Sequence, residues 1–171
     1  MVTSARKKSA VTEAEEAVLA DLYDMPGHLI RRAQQISVSM FYDVMGTEVT
    51  PIQYAILRTL HAEPGIDQVA LAGRVAVDTS TAASTAARLE SKGLITREVA
   101  PANRRQRILR LTAAGTALIE EMVPSVHRLR DAMMATLTPA ERDQFFDLLR
   151  KFVHINNAQS RAPLRRDEEG E

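Results

Sequence analysis

Apolar residues recur along most of this chain at intervals of three and four, the spacing of one helical face. The series Leu22, Met25, Leu29, Ala33, Ile36, Met40, Val44 advances by 3, 4, 4, 3, 4 and 4. Ile30, Val38, Phe41 and Met45 widen that stripe, so this helix is expected to be covered on more than one side. Thr12 with Glu15 fits a capping box at the start of the region. Pro26 marks a break or a fresh first turn, because it lacks an amide donor and restricts Met25. Thr50 and Pro51 begin a second helix reaching about His61, with Ile52, Ile56 and Leu60 inward, and Glu63-Pro64-Gly65 ends it. Asp67 caps a short third helix through Ala76. Asp78 or Thr79 caps a fourth through Lys92, closed by Gly93 as a left-handed C-terminal cap.

The period then changes. Residues 94–100 and 107–112 are short β-type runs, and the turn-rich connector 101–106 between them predicts a hairpin with a basic tip. Thr112 caps a long helix reaching about Leu137, with Leu118, Met122, Val126, Leu129 and Met133 as its stripe and Pro124 as a point of kinking. Thr138-Pro139 starts a last helix with Phe145, Leu148, Leu149, Phe152 and Val153 inward, ending near Asn157. Residues 1–11 and 158–171 carry too little apolar area to offset the entropy of ordering and are expected to be disordered tails. The expected fold is mainly α with a small β-hairpin. From about residue 51 to 112 the order of elements is that of a winged helix-turn-helix.

Composition narrows the chemistry. The chain has 171 residues, 45% hydrophobic and 26% charged, which fits a soluble globular protein of one domain, or of a small domain with appendages. It has no cysteine, which removes disulfides, thiolate metal sites and thiol redox sensing and leaves sulfur oxidation to seven methionines. Twenty-two basic and twenty-two acidic residues give zero formal net charge, so a uniformly basic coat is excluded. Charge is nevertheless segregated. Between Arg88 and Thr112 stand seven cations and only two acids, Glu90 and Glu98, the concentrated patch that phosphate binding requires. On the fourth helix Ser80, Thr81, Ser84, Thr85 and Arg88 share one side, with Ala82, Ala86 and Leu89 opposite. Small hydroxyl side chains let a helix sit deep in a major groove and bond base edges or phosphates. As indifferent helix formers they have little structural reason to fill a solvent face.

The stretches TPIQYAILRTL, DQVALAGRVAVDTSTAASTAARLESKGLITREV and NRRQRILRLTAAG together resemble the MarR family of transcriptional regulators. The resemblance runs from about Pro26 to Asn157 and is most specific in the wing segment. It implies an obligate homodimer built by the first and last two helices, with two winged lobes on an inverted repeat of double-stranded DNA. The domains expected on that basis are a basic tail (1–11), N-terminal dimerisation helices (12–49), a winged helix-turn-helix lobe (50–112), C-terminal dimerisation helices (113–157) and a tail (158–171). The apolar surface of the terminal helices, more than one lobe can cover, is the physical counterpart. Candidate DNA contacts are Ser80, Thr81, Ser84, Thr85 and Arg88 on the helix and Asn103, Arg104, Arg105 and Arg107 on the wing. Asn103 stands where the family usually has an aspartate that orients a wing arginine, so no wing salt bridge is carried over at that position.

The first helix also holds a polar row, His28, Arg31 or Arg32, Gln35 and Ser39, beside its apolar stripe, and Tyr54, Arg58 and His61 on the next helix could approach it. Arginine, imidazole and hydroxyl groups against apolar walls suit a small aromatic carboxylate. The segment PGHLIRRAQQISVSMF resembles family members that regulate the catabolism of aromatic acids. Ion pairs at a dimer interface would use the same residues. His28, His61, His127 and His154 include no pair at helical ligand spacing, so no metal and no cofactor is expected. No phosphate loop, nucleophile elbow or metalloprotease motif is present, and Glu15-Glu16 and Glu120-Glu121 diverge around their helices, so no enzyme is expected. With no membrane-length apolar run and no secretory signal, the expected location is the cytoplasm. The alternatives are a winged-helix adaptor that binds protein instead of DNA, and a DNA-binding regulator without an effector.

Overall fold

The computed structural model describes residues 21–101 and 103–165, with Arg105 as backbone only. The expected N-terminal tail, the Thr12–Glu15 capping box and residues 166–171 lie outside the described residues. Residues up to Ser39 and residues from Met40 form two compact units.

In the first unit, residues 21–24 are helical, Met25 interrupts, and Pro26 opens helix α1 (Pro26–Met45), which continues into the second unit. The proline needs no amide partner there, and Met25 O accepts the first helical bond from Leu29 N at 3.1 Å. Leu22, Met25, Leu29, Ile30 and Ile36 are exposed, so the expected cover over this stripe is absent among the described residues.

The second unit is built on helices α2 (Pro51–Ala62), α3 (Gln68–Arg74) and α4 (Thr79–Ser91), strands β1 (Ile95–Ala100) and β2 (Asn103–Leu111), and helices α5 (Ala113–Met133) and α6 (Pro139–Ile155). Each helix start has a side-chain reason. Thr50 and Gln53 form a capping box, Asp67 accepts from Val69 N and Ala70 N, and Asp78 accepts from Thr81 N. Thr112 accepts from Gly115 N, and Thr138 with Glu141 forms a second capping box. Gly93, at φ 71°, ends α4 as anticipated. Ile56, Leu57, Leu60, Leu71, Leu89, Ile95, Leu109 and Ile119 are fully buried, so helices α2–α5 and both strands share one core.

The strands pair antiparallel, Ile95 with Leu111 through Val99 with Arg107, and then Ala100 with Asn103. One step along β1 thus spans four along β2, and residues 104–106 bulge from the ladder. The connector expected over 101–106 is therefore mostly strand. Its polar composition reads as turn, but its exposed backbone runs on from a strand already anchored below. Gly65 N donates to Leu109 O and Leu109 N to Ile66 O, both at 3.0 Å, and an isolated bridge joins Asp67 to Ile108. These bonds add a short third segment to the two-stranded wing.

Three further expectations are corrected. Helix α6 buries none of its residues, and Phe145, Leu148, Leu149, Phe152 and Val153, expected inward, are 42–59% exposed. Among the described residues no element covers this face. Residues 158–165, expected as part of a disordered tail, are ordered by hydrogen bonds rather than by apolar burial. Asn157 Nδ2 donates to Leu164 O at 2.9 Å, Leu164 N donates to Asn157 Oδ1 at 2.8 Å, and Arg165 N donates to Gly73 O at 2.9 Å. Helix α5 also ends at Met133, short of Leu137, in a turn through Ala135 and Leu137.

Candidate nucleic-acid interface

Helix α4 has a sharply divided surface. Ala82, Thr85, Ala86 and Leu89 are buried, spaced by three and four on the core side. Ser80, Ser84, Ala87, Arg88 and Ser91 are exposed and Thr81 is half-buried. Thr85 was expected on the outer face, yet it is only 4% exposed. It stands three residues after Ala82 and four before Leu89, which places it on the inner row. Ala87 takes its place outside. The signal for it was available, since 80, 84, 87 and 91 follow the same helical spacing.

The exposed hydroxyls are organised by Asp78. Its carboxylate accepts from Ser80 Oγ at 2.5 Å, from Thr81 Oγ1 at 2.7 Å and from Thr81 N at 2.8 Å. The Ser80 and Thr81 hydroxyls, with the Thr81 amide, hold this carboxyl far below the ordinary carboxylate range. The hydroxyl protons of both residues are thereby committed, and their oxygens remain able to accept. Ser84 Oγ donates to Thr81 O at 3.1 Å, and Ser91 Oγ to Arg88 O at 2.8 Å. Sequence reasoning treated Asp78 as a cap only and missed this second role.

The cations of the basic stretch sort into two groups. Two are held within the lobe. Lys92 Nζ donates to Glu48 O. Arg97 pairs with Glu90, Nη2 to Oε2 at 2.6 Å and Nε to Oε2 at 2.8 Å, tying β1 to the end of α4. Hydrogen bonding from Arg97 lowers the Glu90 carboxyl below its ordinary value. The Arg110 guanidinium lies over Gly65, where an added Cβ would stand 2.8 Å from Nη2, but the residue stays exposed. The expected outward-facing residues Arg88, Arg104 and Arg107 are exposed. Asn103 is also exposed and pairs in register with Ala100. Arg105 is a β2 residue whose side chain is outside the description. No wing salt bridge is expected at Asn103, and among the described residues the wing is braced by the Glu90–Arg97 ion pair.

Of the candidate effector residues, His28, Arg31, Arg32, Gln35 and Ser39 belong to the first unit, and Tyr54, Arg58 and His61 to the second. Arg31 Nη1 donates to Gln35 Oε1 at 2.8 Å, while Arg32 and Ser39 are exposed. The His28 ring lies edge-on to Tyr23 at 5.6 Å. Its Nε2 is the one buried side-chain polar atom without a hydrogen-bond partner among the described residues. Tyr54 is half-buried with its ring 6.2 Å from that of Phe41, and Arg58 and His61 are exposed one and two turns further along α2.

Among the described residues no helix is long and apolar enough to cross a membrane. Residues 49–106 match the MarR family. The HTH-type transcriptional repressor NicR of Pseudomonas putida is 31% identical over 134 residues, 78% of this chain and 85% of that protein. Two solved structures share the fold at comparable identity. The PcaV transcriptional regulator of Streptomyces coelicolor, in complex with its natural ligand, superposes with a TM-score of 0.75 at 36% identity, covering 78% of this chain and 95% of the other. BpsR of Bordetella bronchiseptica, whose DNA binding is regulated by 6-hydroxynicotinic acid, gives 0.72 at 33% identity, covering 76% and 94%. With its divided recognition helix, its braced basic wing and these relatives, this chain belongs to the MarR family of winged-helix, DNA-binding transcriptional regulators.

Proposed function

We propose that this chain is a homodimeric repressor that grips an inverted-repeat operator with two winged lobes and releases it on binding a small aromatic carboxylate. The observation that carries the DNA reading is the sorting of cations. Lys92 and Arg97 are engaged inside the lobe, whereas Arg88, Arg104, Arg107 and Arg110 are left exposed. Arg88 shares its face of α4 with Ser80 and Ser84. The helix enters the major groove, and Ser80 and Thr81, with their protons committed to Asp78, accept from base amino groups, the donors that adenine and cytosine present there. Arg104, Arg105, Arg107 and Asn103 lie along the adjoining backbone or minor groove. The uncovered apolar face of α6 supports the second copy, because a soluble monomer rarely leaves so continuous a patch in water.

The effector reading is supported by His28, whose buried Nε2 lacks, among the described residues, a partner that a carboxylate oxygen would supply. Arg32 is the arginine that would meet the carboxylate, since Arg31 is engaged with Gln35. Ser39 on the same helix and Tyr54, Arg58 and His61 on α2 are the remaining candidates. BpsR, regulated by an aromatic acid, supports the ligand class. A ligand of this kind releases DNA only by favouring one lobe arrangement over the other.

The test is fluorescence anisotropy on DNA from upstream of the chain's own gene, with salt titrated, random competitor present and a panel of aromatic acids added. Tight, salt-steep, sequence-preferring binding that an acid reverses, and that the acid no longer reverses in Arg32→Ala, is the expected result. Binding indifferent to every acid removes the effector. A salt slope near zero removes DNA and leaves a winged-helix adaptor.

A further inference from the structure

We propose that residues 157–165 form a strap that adds a DNA-backbone contact to each lobe, carried by Arg161 and Arg165 beside the first turn of the recognition helix. The proposal rests on the DNA-binding reading above. The strap is closed on itself by Asn157, whose side-chain amide brackets the backbone N–H and C=O of Leu164 at 2.8 and 2.9 Å. It is then fastened to α3. Arg165 N donates to Gly73 O at 2.9 Å, and Arg74 Nη1 donates to Arg165 O at 2.9 Å. Arg74 is itself anchored to Glu63, Nε to Oε1 at 3.0 Å. The stem of Arg165 lies directly over Gly73, where an added Cβ would stand 3.0 Å from the arginine Cβ, so the close approach depends on the glycine.

This fastening fixes where the two cations sit. Arg161 and Arg165 line a cleft of about 260 Å³ together with Gly73, Asp78 and Thr79, the last being the first residue of α4. In a helix-turn-helix the start of the recognition helix meets base edges while the preceding helix crosses the phosphate backbone. A cation held against the end of α3 and the start of α4 is therefore beside a phosphate. Arg161 and Arg165 are exposed and neither guanidinium has an ion-pair partner among the described residues. Residues 158–165 contain no acid. The nearby carboxylate of Asp78 already accepts from Ser80 and Thr81, and two arginines outweigh its charge at the protein surface.

The experiment compares the full-length chain with Arg161→Ala/Arg165→Ala, Asn157→Ala and Arg104→Ala on random-sequence duplex DNA, reading log affinity against log salt. Removing one cation that neutralises a phosphate lowers the slope by about 0.9. The double variant is expected to lower it by about 1.8 per lobe. Asn157→Ala is expected to lower the slope too, because its cations remain in the chain but are no longer held. A wild-type slope in either variant overturns the proposal, as does an affinity loss at unchanged slope in the double variant. A wild-type protein whose own slope is near zero fails the DNA reading. A steep wild type that Arg104→Ala flattens and the double variant does not fails the strap alone.

Discussion

Replacing Gly115 by alanine is expected to destabilise the lobe, although Gly→Ala inside a helix ordinarily gains about 1 kcal/mol. Gly115 is buried in the first turn of α5, and an added Cβ would stand 2.0 Å from Leu94 O, 3.1 Å from Leu94 C and 3.3 Å from Leu111 Cδ2. Ordinary contact begins near 3.4 Å, so the first turn of α5 and the segment at Leu94 must part by more than 1 Å. The colliding carbonyl is also the one that accepts from Thr112 N at 3.0 Å, and beside it Thr112 Oγ1 donates to Gly93 O at 2.7 Å. Parting the two elements breaks both bonds. Overpacking costs about 1–3 kcal/mol and each broken bond about 1, so the helix gain is outweighed by a net loss of about 2–4 kcal/mol. Urea unfolding at one fixed protein concentration measures this, with a midpoint lowered by on the order of 1 M or more. Gly27→Ala on α1 is the opposing control, since nothing lies within 4 Å of its added Cβ, and a gain of about 0.5–1 kcal/mol is expected there. A Gly115→Ala midpoint equal to that of the wild type would refute the argument that the Leu94 carbonyl closes this site.

The wing pair separates positioning from contact: Arg97→Ala leaves the salt slope of DNA binding unchanged because Glu90 already neutralises that charge, whereas Arg104→Ala lowers it by about 0.9 per lobe. A reduced slope in Arg97→Ala would make Arg97 a phosphate ligand. The Asp78 carboxyl is depressed in the folded state, so its contribution to stability is complete above the unfolded value near 3.8 and is lost as pH falls below it. Asp78→Asn keeps a capping side chain but removes that titration, and its stability profile below about pH 4 is expected to be flatter than the wild type's; superimposable acid limbs would count against the Ser80–Asp78–Thr81 cluster. Leu148→Glu, on the exposed face of α6, is expected to convert the proposed dimer to monomer in sedimentation equilibrium. An unchanged mass would place the interface elsewhere.

Much of this architecture is legible from local chemistry. Thr50, Asp67, Asp78, Thr112 and Thr138 each announce a helix because a short side-chain oxygen satisfies amides that the first turn leaves open. Gly93 announces a helix end because a left-handed residue tolerates no Cβ there without cost. The DNA-facing candidates were legible as composition: hydroxyls along one helix and cations along one hairpin. Their exact faces were less so. Thr85 turned inward because threonine is small enough to pack beside Ala82 and Leu89, and no rule of polarity distinguishes it from Ser84.

What the sequence by itself determined was therefore periodic and local: element order, caps, the hydroxyl content of α4 and the clustering of charge in residues 88–112. Tertiary structure alone decided which cations remain available, because Arg97 meets Glu90 across seven residues and Lys92 meets Glu48 across forty-four. It also decided that residues 158–165 are ordered, since Arg165 reaches Gly73 and Arg74 some ninety positions away. Such pairings follow from how the core of Ile56, Leu71, Leu89 and Leu109 closes. A hydrogen bond or ion pair forms wherever that closure brings two groups together, and neither group carries a mark of its distant partner in the sequence.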